Sequence, residues 1–307
     1  MKSDTVLVTG GAGFIGHHLT SALLSQGRKV KVLDDFSSGT ELKAHPLLTV
    51  IKGDMSESSV RKEALDQTKS VVNLAAIASV PLCESKPELS SRVNYFAAQE
   101  LFKDAFRLGI TTIIQASTSA LYGIPNQLPL TEKSSINPIG NYGKHKQKAE
   151  ESLLSFHEHP VCSLRLFNVF GKGQKKASPY SGVLTIFSDN IRRNQPVIIF
   201  GDGHQSRDFI HVDDVVSAFI LCLNDLENNG INSKVSGKKF NVCSGKSVTL
   251  LEIIETFSLF SNSEIDVVFE APRKGDIIHS LGSSELLKKQ LDWKPTENFI
   301  ERLKELL

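Results

Sequence analysis

Tyr142 and Lys146, in the run Tyr142-Gly143-Lys144-His145-Lys146, stand four residues apart at the opening of a segment with helical apolar spacing, so both side chains share one face. An ammonium beside a phenol favours the phenolate and draws its pKa down from about 10, which would make Tyr142 a general base and acid tuned by Lys146. The same spacing also describes an ordinary surface pair, so its weight depends on its surroundings. Two further segments supply them. Gln115-Ala116-Ser117-Thr118-Ser119-Ala120-Leu121-Tyr122-Gly123 concentrates hydroxyls at the end of a buried strand, where α/β proteins bind ligands. Thr9-Gly10-Gly11-Ala12-Gly13-Phe14-Ile15-Gly16 follows a strand and opens a helix. Glycines at 10 or 11, 13 and 16 permit a tight turn, close approach of a pyrophosphate to backbone N–H groups up to Phe14 and Ile15, and close helix–strand packing.

The second strand ends in Val32-Leu33-Asp34, which puts a carboxylate 18 residues after Gly16, where it can accept from ribose hydroxyls. Asp34 and Asp35 have no arginine beside them and would repel a 2′-phosphate, so NAD is expected rather than NADP. Asp54, in Gly53-Asp54-Met55 after the third strand, reads either as an adenine contact or as a helix N-cap.

The elements that must position these residues alternate as βαβ units through the first half. Strands are predicted at Thr5–Thr9, Lys29–Leu33, Leu48–Lys52, Ser70–Leu74, Thr111–Ala116 and Val161–Phe167, and helices at Gly16–Gln26, Ser58–Gln67, Arg92–Leu108 and Tyr142–His157. This is the pattern of an α/β fold built on a doubly wound parallel sheet of Rossmann type. After Gly171 the texture loosens, so residues 1–171 are expected to form the dinucleotide-binding domain and 172–307 a smaller C-terminal substrate-binding lobe. Segments near 197–223 and 239–243 are candidates for returning to the main sheet. Asn224–Lys239 reads as a loop.

Composition narrows the function classes. Thirty-five basic against 34 acidic residues leave a net charge of +1 with no block of like charge, which argues against nucleic acid or anionic lipid as a partner. Cys83, Cys162, Cys222 and Cys243 lie far apart and read as reduced, mostly buried thiols. The nine histidines show no metal-ligand spacing, so no metal is implied. The first nine residues lack an apolar targeting core and no run of 18 apolar residues follows, so a soluble cytoplasmic protein is expected.

Taken in order, T-G-G-A-G-F-I-G, N-L-A-A, S-T-S-A-L-Y-G, Y-G-K-H-K, R-L-F-N-V-F-G and R-D-F-I-H-V-D-D resemble the extended short-chain dehydrogenase/reductase family over nearly the whole chain, and within it the nucleotide-sugar 4-epimerases acting on UDP-glucose and UDP-N-acetylglucosamine. The resemblance implies that Tyr142 is the base, that Lys146 also holds the nicotinamide ribose, and that Thr118 hydrogen-bonds the reacting sugar hydroxyl. It implies a substrate side built from Ser119, Asn168, Arg207, Arg273 and Ser280, the two arginines clamping a diphosphate although each could equally be a surface Arg–Asp pair. Asn94 corresponds to a structural helix asparagine, and Phe200 with Gly201-Asp202-Gly203 to the uracil side. Related dehydratases and decarboxylases carry carboxylates after the position of Thr118, whereas this chain has Ser119-Ala120, which favours epimerisation through a transient 4-keto sugar. A small residue at 280 leaves room for an N-acetyl group. The segment Ser178–Val183 departs from the usual loop of the group.

The family's dimers pair the helices corresponding to Arg92–Leu108 and Tyr142–His157, so a homodimer is expected. Phe96, Leu101, Phe102 and Leu153 fit that interface and a core of one subunit equally well. Two rival readings share the cofactor site: another NAD-dependent nucleotide-sugar oxidoreductase or epimerase/reductase, and a non-enzymatic NAD sensor. Sensors on this fold usually lack the tyrosine or the lysine, and this chain has both.

Overall fold

A computed structural model describes residues 4–174, 182–261, 264–273 and 276–307. Runs of β-branched residues form β1 (Thr5–Thr9), β2 (Lys29–Asp34) and β3 (Leu48–Lys52), with α1 (Phe14–Ser25) between the first two. Then come α2 (Ser58–Leu65), β4 (Thr68–Asn73), α3 (Val80–Ser85), α4 (Pro87–Ser91), a π-type turn at Arg92–Phe96 and α5 (Ala97–Arg107). β5 (Thr112–Thr118), a 3₁₀ turn at Ser119–Tyr122, α6 (Asn141–Leu154) and β6 (Val161–Leu166) complete the regular half. The second half holds β7 (Asn168–Phe170), α7 (Val183–Arg192), β8 (Val197–Phe200), β9 (Ser206–His211), α8 (Val212–Asn229) and β10 (Lys238–Val242). β11 (Ser247–Thr249), α9 (Leu250–Ser261), β12 (Val267–Glu270), α10 (Glu285–Leu291) and α11 (Phe299–Lys304) follow.

Seven strands make one parallel sheet in the order β10-β6-β5-β4-β1-β2-β3. The chain winds outward from β1 through β3 and then returns to lay β4 on the other side of β1. Where the winding reverses, the connections leave in opposite directions and open a crevice at the carboxyl ends of the strands. One sheet face packs α1, α8 and α10 through Leu19, Leu23, Val215, Phe219 and Leu287; the other packs α2, α5 and α6 through Ala64, Leu101, Phe102, Ala149 and Leu153. Helices on both faces make the sheet doubly wound.

Chain from beyond residue 172 contributes to this layer: β10 is a sheet edge and α8 covers one face. β8 and β9 do not join it; β8 pairs with β12, and β9 with β7 and β11, over a separate core that includes Phe170, Phe187, Ile253 and Phe257. The loop expected at Asn224–Lys239 is corrected at both ends. α8 runs on to Asn229, because Leu226 falls on its buried face, and β10 starts at Lys238 after Val235 has plugged the core. The alternatives for Phe96, Leu101, Phe102 and Leu153 also separate. The last three are fully buried within one subunit, whereas Phe96 is 53% exposed. All four cysteines are buried and unpaired. Among the described residues, no helix is long and apolar enough to cross a membrane.

Asp208 ties the second half to the sheet. Its carboxylate, fully buried, accepts from the backbone N–H groups of Ser244 (2.8 Å), Gly245 (3.0 Å) and Gly282 (3.1 Å) and from the Ser244 hydroxyl (2.7 Å). Burial pushes its pKa up, and these four bonds oppose the rise. Asp208→Ala would strand the buried amide of Gly282, at about 1–3 kcal/mol, and free the partly solvated amides of Ser244 and Gly245 at lower cost. Urea unfolding should therefore report a loss of roughly 2 kcal/mol or more. A loss within about 0.5 kcal/mol, the scale of an ordinary surface substitution, would remove Asp208 from this role.

Candidate active site

The glycine turn between β1 and α1 is shaped by contacts that exclude side chains. Gly10 has φ +68°, and a Cβ there would lie 2.7 Å from the amide nitrogen of Ala75; at Gly16 it would lie 2.1 Å from the Gly10 carbonyl oxygen. Gly13, the N-cap of α1, differs: the sole neighbour of a Cβ there is the Gly10 oxygen at 3.2 Å. No side chain caps this helix, and the N–H groups of Phe14 and Ile15 have no acceptor among the described residues. Asp34, at the end of β2, faces the turn, where its two oxygens accept from the amides of Ala12 (2.9 Å) and Phe36 (2.8 Å). Asp54 accepts from the Ser56 amide (2.7 Å) while Glu57 is the N-cap of α2, so the helix-cap alternative for Asp54 gives way to a local turn. Asn94, within the π-type turn, holds the loop after β4 through both the N–H and the carbonyl of Ile77 (2.7 and 3.1 Å).

At the ends of β5 and β6 lies a cavity of about 230 Å³. Its walls bring together six of the expected residues, Thr118, Ser119, Tyr142, Asn168, Arg207 and Ser280. Close packing sets this meeting. A Cβ at Gly143 would be 2.9 Å from the Ala120 carbonyl oxygen, so the first turn of α6 rests directly on the Ser119–Tyr122 turn. Glu84 of α3 accepts from the Asn141 amide (2.5 Å) and so caps α6, while Ser90 and His145 bond at 2.8 Å. Thr118 accepts from the Ala120 amide (3.2 Å), which leaves its own proton free for the Tyr142 phenol. Among the described residues, no carboxylate lines the cavity.

The electrostatics differ from the sequence expectation. Burial pushes Tyr142 up to about 12; the Thr118 hydrogen bond opposes the rise and the Cys83 thiol adds to it. Lys146, 2% exposed, is itself brought down to about 8 by burial, with Glu150 opposing. The expected lowering of the phenol is therefore absent from the cofactor-free chain, because desolvation dominates and Lys146 is not among the groups that act on it.

Arg273 is placed apart from the other substrate-side residues. It lines a second cavity of about 760 Å³ together with Phe200, Gly201 and Asp202, and its guanidinium lies 3.8 Å over the Phe200 ring. Arg207 bonds Asp276 at 2.7 Å, so the ion-pair alternative does hold for it, and the pair stands where the two cavities adjoin. Residues 178–181 of the atypical loop lie outside the described residues.

The sequence reading missed His279, which lines the first cavity with Nδ1 3.0 Å from Ser206 Oγ, and nothing in its local sequence marks it. It also missed Glu150 and Arg165, for which signals exist. Glu150 continues the Tyr142–Lys146 face by one more turn, and Arg165 is a charge inside an otherwise apolar strand.

Residues 6–243 match the model of the NAD dependent epimerase/dehydratase family. The chain belongs to that family. A UDP-N-acetylglucosamine 4-epimerase from Methanobrevibacter ruminantium, solved with UDP-N-acetylmuramic acid, is 37% identical with a TM-score of 0.91, covering 100% of this chain and 97% of that one. The UDP-glucose 4-epimerase of Thermus thermophilus, solved with NAD, is 28% identical with a TM-score of 0.88 over 98% and 97% of the two chains. A putative UDP-glucose 4-epimerase of Methanocaldococcus jannaschii is 28% identical over 309 residues, 98% of this chain and 97% of its own.

The cofactor of this NAD-dependent family member is NAD, and the residues present fit it. The open face of Gly13 and the two acceptor-free amides at a helix N-terminus form an anion cradle, and Asp34 keeps spare lone pairs beside it. In the cofactor-free protein, the ultraviolet phenolate band lost on Tyr142→Phe should titrate with a midpoint near 12. A midpoint below about 10, the ordinary tyrosine value, would contradict the burial argument.

Proposed function

We propose that this enzyme interconverts the 4-epimers of a UDP-hexose, with UDP-N-acetylglucosamine and UDP-N-acetylgalactosamine as the preferred pair and UDP-glucose and UDP-galactose as further candidates. The observation that carries the reading is the joint presence of Thr118, Tyr142 and Ser280 in one cavity whose described walls hold no carboxylate. Elimination of water would require an acid and a base there, whereas epimerisation at C4 requires one base and room for the sugar to turn. The names of the relatives, UDP-N-acetylglucosamine and UDP-glucose 4-epimerases, support the same reading.

In this mechanism Tyr142 accepts the proton of the sugar 4-hydroxyl and later returns it. Bound NAD supplies the acceptor and return donor of one hydride, and the positive charge of its nicotinamide. Lys146 holds the cofactor's ribose and favours the phenolate, offsetting the burial that keeps Tyr142 protonated in the free chain. Thr118 donates to the reacting oxygen or to the phenolate and so holds both in line. Between the two proton transfers at Tyr142 the cavity would give a 4-keto sugar room to turn, so that hydride could return to its other face.

Asn168 and Ser119 would contact the sugar or diphosphate. Arg207 and Arg273 would grip the diphosphate at the junction of the cavities, with Phe200 on the base side. Ser280, 8% exposed, offers little bulk beside the sugar's 2-substituent. The homodimer is part of this proposal, with the exposed Phe96 at its interface; a single-chain mass in light scattering would reject it.

NMR of UDP-N-acetylglucosamine incubated with the protein should show the 4-epimer without accumulation of NADH absorbance. A 4-keto-6-deoxy product or stoichiometric NADH would overturn the assignment. Tyr142→Phe should lower kcat roughly 10²–10⁴-fold with NAD still bound. Ser280→Tyr should suppress the acetamido substrates and spare UDP-glucose; an unchanged ratio of kcat/KM between the two would remove the steric role of Ser280.

A further inference from the structure

One turn below Lys146 on α6, Glu150 is 2% exposed and meets Arg165 of β6, which has no exposure at all. Arg165 donates from Nε to both carboxylate oxygens (3.1 Å each) and from Nη2 to Oε1 (2.5 Å), and Ser163 Oγ donates to Oε2 (3.2 Å). Arg165 Nη1 reaches the Tyr122 hydroxyl at 2.9 Å, and that hydroxyl donates to Asn241. Lys146 has no hydrogen-bond partner among the described residues, and Glu150 is the charged group that acts on it. Three charged side chains, Lys146, Glu150 and Arg165, thus share one dry layer under the Tyr142 cavity, with one carboxylate between two cations.

We propose that the Glu150–Arg165 pair is a positioning element of the reaction: Glu150 sustains the charge of Lys146 beneath Tyr142, and Arg165 limits how much of that carboxylate Lys146 receives. In a low-dielectric layer Coulomb interactions are strong and add, so the carboxylate favours the proton on Lys146 while the positive charge of Arg165 beside it opposes that effect. A pair whose work was only to pin α6 to the sheet would fix geometry and stability without governing the proton on Lys146.

The neighbouring titratable groups leave Glu150 as the control. Tyr142 is acted on by Thr118 and Cys83; His145, on the same helix, faces Ser90, Glu84, Lys144 and Lys148; Tyr122 faces Arg165 and Glu132. The burial that brings Lys146 down to about 8 places its proton within the working range, so a change at Glu150 or Arg165 alters how much of the enzyme carries the cation.

The inference rests on Tyr142 and Lys146 being the reacting pair of a UDP-sugar 4-epimerase, and the unsubstituted holoenzyme serves as the control: no epimerisation by it at any pH rejects that reading, not this one. With activity present, the alkaline limb of log kcat against pH reports loss of the Lys146 proton. Glu150→Gln should move that limb down by roughly one pH unit. Arg165→Met, which leaves an ionised Glu150 to Lys146 alone in this pH range, should move it up by a similar amount. Glu150→Asp, which keeps the charge, should restore the limb towards its original position. Each variant is first checked for folding by circular dichroism. Should Glu150→Gln not fold, the direction of the Arg165→Met shift decides alone. Shifts in the same direction, or limbs that stay in place while only stability falls, would overturn the proposal.

Discussion

A charge removed from water must be matched inside the protein, and at the centre of this fold the match is Glu150 with Arg165. One residue belongs to α6 and the other to β6, so satisfying the charge also fixes the helix on the sheet. The site depends on that placement. With α6 seated, Gly143 comes down on the Ser119–Tyr122 turn and Tyr142 meets Thr118, while Lys146 is carried into the dry layer below. Had the pair been replaced by apolar residues, the helix could still pack, yet Lys146 would lose the nearby carboxylate that opposes its neutralisation.

The same polar layer extends across the sheet. Thr9 bonds Asn73, Asn73 donates to Gln115 (2.6 Å), and Ser163 reaches both the Gln115 carbonyl (3.4 Å) and Glu150 (3.2 Å). Register places Thr9, Asn73, Gln115 and Ser163 side by side on β1, β4, β5 and β6. The strand that feeds the glycine turn and the strand that ends at Thr118 are thus held level, which keeps the cofactor cradle and the catalytic cavity on one edge. Asp208 performs the corresponding task for the substrate side, since its bonds to Gly245 and Gly282 hold the segment carrying Ser280.

Legibility in the sequence followed periodicity. The first half reads well because its strands are short β-branched runs between amphipathic helices, and β1 and β3 match at both ends. Asn224–Lys239 misled because its composition is that of a loop, while the two buried residues that matter, Leu226 and Val235, are isolated within polar surroundings. α7, β12 and the short C-terminal helices were missed, since each buries only part of a face that tertiary contacts complete. Within the site, Tyr142 was legible by its spacing to Lys146, while the other five expected residues that the cavity gathers were legible only through the family resemblance. The state of Tyr142 was not legible: spacing places a lysine one turn away, but the burial that dominates the phenol comes from the surrounding mass of the folded chain. Asp208 reads as an ordinary half of an Arg-Asp dipeptide until the four donors around it are seen.

The central claim is that hydrogen leaves C4 of the sugar and returns to the same carbon on its other face without meeting water, while Tyr142 handles only the hydroxyl proton. The most direct measurement is epimerisation of a UDP-sugar carrying deuterium at C4 in ordinary water, followed by mass spectrometry and NMR of both epimers at equilibrium. The account predicts that substrate and product retain the label at C4 in full through many turnovers. Loss of deuterium to solvent from that carbon would contradict it, because it would mean that the C4 hydrogen leaves as a proton rather than passing to a bound carrier and back.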